Sequence, residues 1–103
     1  MNALLYIEIE RRLRDEFPIH LEAGEVQTLE NEMDGILEQI KRSESFEDAQ
    51  SQLDELALFQ SVLATLCFKW AVNLTPRMRE LVRAFDRGDD GQVRRHYYEA
   101  LKA

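Results

Sequence analysis

Residues 56–74 read LALFQSVLATLCFKWAVNL, and the reading of this stretch decides the fold. At helical spacing it carries two apolar stripes. Leu56, Leu63, Cys67, Trp70 and Leu74 prolong a row begun by Ala49 and Leu53 and interrupted only at Gln60, each step being three or four residues. Phe59, Val62, Leu66 and Val72 make the second stripe. Gln60, Ser61, Thr65, Lys69 and Asn73 alone stay polar, along one narrow line. A helix apolar on most sides needs neighbours on several faces, so it belongs at the centre of a bundle. The window is also long enough to suggest a membrane span, but Lys69 is costly inside a bilayer, and Gln60 and Asn73 add to that cost.

The sequence on either side supplies the neighbours. Upstream, Val26, Leu29, Met33, Ile36 and Ile40 step by three and four residues through residues 21–42, which is a heptad seam. Ser43-Glu44-Ser45 marks the break, with Ser43 or Ser45 as N-cap of the next helix and Asp48 as the return half of a weak capping box. That next helix is predicted to run to Asn73 or Leu74, a length of about 45 Å at 1.5 Å per residue. Two seamed helices joined by a short link form an antiparallel hairpin, here over residues 21–74.

Downstream, Thr75-Pro76 places an N-cap before a proline at the first helical position. Met78, Leu81, Val82 and Phe85 form the apolar face of that helix, and Gly88 is placed to end it. Asp89 and Gln92 then open a last helix with Val93, Tyr97, Ala100 and Leu101 on its apolar side. At the other end, Leu5, Ile9, Leu13 and Phe17 recur every four residues, so a helix is predicted from Ala3 to Phe17, stopping before Pro18. The expected fold is all-α. It is a compact bundle of about five helices in a single domain, 1–103, built on the hairpin with a shorter C-terminal helix pair. A chain of this size leaves much of its surface uncovered, so a homodimer pairing two hairpins is expected to cover the central helix.

Composition agrees. The chain has 103 residues, 45% hydrophobic and 32% charged, which suits one folded domain. Four Gly and two Pro are too few for the turns of a sandwich or barrel. A single cysteine forms no internal disulfide, and Glu8 and Glu10 interrupt any leader-like apolar run, so the cytoplasm is the expected compartment.

The net charge of −7 is unevenly spread. Residues 1–68 hold five Lys or Arg against fifteen Asp or Glu, giving −10; residues 69–103 hold eight against five, giving +3. Catalysis would need a titratable pair, a metal or an activated nucleophile. His20 and His96 are far apart in sequence, and Cys67 lies in the most apolar helix, where a thiol is an inert core residue. Three Cys and His in all do not make a structural zinc site. The order of His96 before Glu99 is the reverse of a bundle di-metal motif. No catalytic residue, metal or cofactor is therefore expected.

What remains is binding. The acidic back of residues 22–42, with Glu22, Glu25, Glu30, Asp34 and Glu38, is suited to steering a basic or nucleic-acid-binding protein partner. The last third offers Arg79, Arg83 and Arg87 in one row, then Arg94, Arg95, Tyr97 and Tyr98, residue types favoured at interface hot spots. The leading expectation is a small acidic adaptor, chaperone or inhibitor that binds another protein, with no membrane association. The alternative is a dimeric DNA-binding regulator using residues 76–102, with Gly88-Asp89-Asp90-Gly91 as the turn of a helix-turn-helix. Asp86, Asp89 and Asp90 stand against it, because they lie where phosphate would approach, so nucleic acid is not the expected partner.

Overall fold

The computed structural model describes residues 4–16, 18–84 and 91–103. Five helices are present among the described residues: α1 (Leu5–Arg14), α2 (Ala23–Arg42), α3 (Gln50–Phe68), α4 (Pro76–Ala84) and α5 (Gly91–Lys102). No strand occurs among the described residues. The fold is the all-α bundle that the periodicity predicts. The expected roles of Phe17, Phe85, Gly88 and Asp89 fall outside the described residues.

The hairpin is its centre. Leu29, Met33, Ile36 and Ile40 of α2 are buried with Leu53, Leu56, Phe59, Val62, Leu63 and Leu66 of α3. Helix α1 packs on both, with the Tyr6 ring edge-on to Phe59 at 5.2 Å between centroids. The first amides of α1 have no capping side chain of their own. Glu32 of α2 serves them instead, accepting from the Leu5 and Tyr6 N–H groups at 2.8 and 3.0 Å. Tyr6 is buried and hydrogen-bonded to Glu55, and its hydroxyl pKa is pushed up to about 12, by burial first and then by the charges of Glu55 and Glu32.

Two expected boundaries are corrected. Helix α1 ends at Arg14 rather than Phe17, with Glu16 in the left-handed region at φ 59°. Helix α3 has 19 residues, about 28 Å, instead of the expected length of about 45 Å. At its start, residues 45–49 form a separate turn: the Ser45 hydroxyl accepts from the Asp48 N–H at 3.2 Å, and the Ala49 N–H reaches the carbonyls of Ser45 and Phe46. At its end, Ala71 turns left-handed at φ 54° and the Val72 N–H folds back to the Leu66 carbonyl at 2.9 Å. The chain then runs without helix to Thr75, still burying Leu74 and half-burying Trp70 and Val72. The apolar period continues after the helix has stopped.

Helix α4 begins as expected. Thr75 Oγ1 accepts from the Met78 N–H at 3.4 Å and Pro76 occupies the first helical position. Met78, Leu81 and Val82 are buried, and the Gln60 side-chain amide donates to the Val82 carbonyl at 3.2 Å. Among the described residues, helices α1, α2 and α4 thus cover α3 except along one strip, and the packing argument for a second copy reduces to that strip.

Candidate partner-binding surface

The acidic residues of α2 do not form one free face. Glu30 accepts from the Thr75 hydroxyl, and Asp34 takes the two ends of the Arg77 guanidinium at 2.5 and 3.2 Å, so this part of the row holds α4 in place. Glu25 accepts from the Glu22 N–H at 3.1 Å and closes the first turn of α2. Glu22 lies exposed with its carboxylate 3.2 Å from His20, and Glu38 is exposed beside Arg42 at 3.3 Å. Glu44, Glu47 and Asp48 of the α2–α3 link are exposed as well.

Most of the basic residues remain exposed, yet several are engaged within the chain. Arg79 donates to the Leu74 carbonyl and to Asn73 Oδ1, both at 3.0 Å, and so braces the elbow between α3 and α4. Arg94 pairs with Asp54, and Arg95 stacks 4.4 Å above the Phe46 ring. Tyr98 is buried edge-on to the same ring, and Tyr97 is half-buried, its hydroxyl pKa raised by burial and partly offset by Arg77. The Lys102 ammonium donates to the carbonyls of Lys41 and Ser43 and so neutralises the C-terminal end of α2. Arg83 is exposed on the lip of an open cleft of about 780 Å³ between α4 and α5, shared with His96 and Gln92. Arg87 lies outside the described residues.

Two residues that periodicity did not single out stand on the uncovered strip of α3. Phe68 is 76% exposed and Leu58 44%. They share their face with exposed Ser61 and half-buried Thr65, the spacing being i, i+3, i+7 and i+10. The signal was present in the sequence, because Ser61 and Thr65 mark the wet line and Leu58 and Phe68 lie on it. Leaving a ring of this size in water forgoes roughly 1.5–3 kcal/mol of burial.

Among the described residues no group of three or more His, Cys, Asp and Glu is placed to hold a metal ion. Cys67 is half-buried in α3, while His20 and His96 sit on the link before α2 and on α5. No helix among the described residues is long and apolar enough to cross a membrane.

A family model described as "Immunity protein CdiI-like" matches residues 22–103. No curated protein and no solved structure matches the chain. The match begins at the residue before α2 and takes in the whole hairpin, the elbow and both C-terminal helices. The chain therefore belongs to the CdiI-like immunity protein family.

Proposed function

We propose that this protein is an inhibitor that neutralises a basic toxin by binding it, with no chemistry of its own, acting in the cytoplasm as one helical domain. The family match carries the reading. Charge placement supports the sign of the partner. Of the eight Lys and Arg in residues 69–103, Arg77, Arg79, Arg94, Arg95 and Lys102 are engaged within the chain. The net charge is −7, with Glu22, Glu38, Glu44, Glu47 and Asp48 exposed. An outward field of that sign draws a basic partner in and fixes its approach. The family match gives the DNA-binding alternative no support, and Arg79, Arg94 and Arg95, three of the arginines it would turn to phosphate, are engaged within the chain.

An immunity protein is paired with a toxin, and the polypeptide encoded beside this chain is the candidate to test. Co-expression is expected to relieve growth arrest by that polypeptide, and the purified pair to bind with an affinity that falls as salt rises. Absence of both protection and a complex at micromolar concentration overturns the reading.

A further inference from the structure

We propose that the exposed strip of α3 from Leu58 to Phe68 is the face that seats on the basic partner, with the Phe68 ring as the anchor filling an apolar slot there. The inference rests on the inhibitor reading above and names the surface that performs it. Phe68 is 76% exposed and Leu58 44%, and between them Ser61 and Thr65 are small enough for another backbone to come close. The Thr65 hydroxyl already donates to the Ser61 carbonyl at 3.1 Å, so covering it strands no donor. Aromatic side chains are enriched in the buried cores of interfaces.

The anchor is also held ready. Phe68 is the last residue of α3, and directly behind it the elbow is fixed by the left-handed Ala71, the Val72-to-Leu66 backbone bond and the two bonds from Arg79. A residue off the common backbone regions persists only where its surroundings enforce it, and such positions gather at binding sites. An anchor on a fixed element loses little freedom when it binds. Charge selects the occupant. Two copies carrying −7 each repel one another, whereas a basic partner is attracted.

The test measures binding to the polypeptide encoded beside this chain, by calorimetry, for the wild type, Phe68→Ala and Leu58→Asp, with Gln50→Ala as a control on the same helix. Phe68 is exposed, so Phe68→Ala is expected to keep its helical circular dichroism and melting temperature. Its affinity is expected to fall at least tenfold, Leu58→Asp is expected to weaken binding too, and Gln50→Ala is expected to match the wild type. A photoreactive benzoyl-phenylalanine in place of Phe68 is expected to cross-link to that polypeptide and not to a second copy of this chain. Wild-type binding with Phe68→Ala unchanged within twofold overturns the inference and leaves the inhibitor reading standing. Failure of the wild type to bind takes down both. Cross-links between two copies, together with unchanged partner affinity, assign the strip to self-association and overturn the proposal.

Discussion

Helices α4 and α5 follow the hairpin, have 9 and 12 residues, and look alike as amphipathic arginine-bearing segments, yet they are fastened differently. Helix α4 sends Met78, Leu81 and Val82 into the core and then adds Thr75–Glu30 and Arg77–Asp34 at its start. Helix α5 fully buries only Tyr98 among its described side chains, half-buries Val93, Tyr97 and Leu101, and adds cations: Arg94 to Asp54, Arg95 over Phe46, and Lys102 on the end of α2. Apolar burial is worth more than exposed charge pairing, which contributes about 0–1 kcal/mol per pair. Helix α4 is thus part of the cooperative core. Helix α5, with fewer fully buried side chains, is expected to open before α4.

Met78→Ala breaks the comparison most severely. It removes a fully buried side chain from α4 and is expected to lower global stability by about 2–5 kcal/mol in urea denaturation. Tyr98→Ala is expected to cost less, about 1–3 kcal/mol, because α5 can detach while α1–α4 stay folded. Hydrogen exchange checks the difference: amides of α5 exchange faster in Tyr98→Ala while those of α3 keep their protection, and equal loss in both helices would erase the distinction.

Alkaline titration sharpens it. The Tyr6 pKa is raised in the folded state, so the protonated phenol favours folding below pH 10, and that contribution is lost as pH rises towards about 12. Tyr6→Phe is expected to flatten the decline in melting temperature above pH 10. Tyr97→Phe is expected to flatten it less, since the nearby Arg77 opposes the effect of burial there.

The smallest effect is a gain. Ala71→Gly relieves a left-handed alanine at the entry to α4 and is expected to raise stability by roughly 0.5–1 kcal/mol, after the backbone entropy of glycine is set against the relief. A loss instead would mean that the methyl group packs against the elbow.

The contrast also explains what could be read from the sequence. The seam of α2 and the Thr75-Pro76 start were legible because each is local: periodicity and a cap act within a few residues. The end of α3 was not. Trp70, Val72 and Leu74 keep apolar residues coming while serving a non-helical elbow, and Ala71 adopts the left-handed turn without the glycine that announces one. The charged rows were legible as rows but not by direction. Thr75–Glu30, Arg77–Asp34 and Arg94–Asp54 join residues forty or more apart, and no local spacing encodes such pairs. Glu38 with Arg42, four apart on one helix, is the kind of pair that spacing does reveal.

One helix has a covered side and an open one. Leu53, Leu56, Phe59, Leu63 and Leu66 of α3 are wholly covered, while Leu58, Ser61 and Phe68 face outward from the same nineteen residues. Surface substitutions away from packed positions usually shift stability by no more than about 0.5 kcal/mol. Outward positions on α3 can therefore change one at a time while the inward ones stay put, so the open side of this scaffold can be rewritten without relearning how to fold.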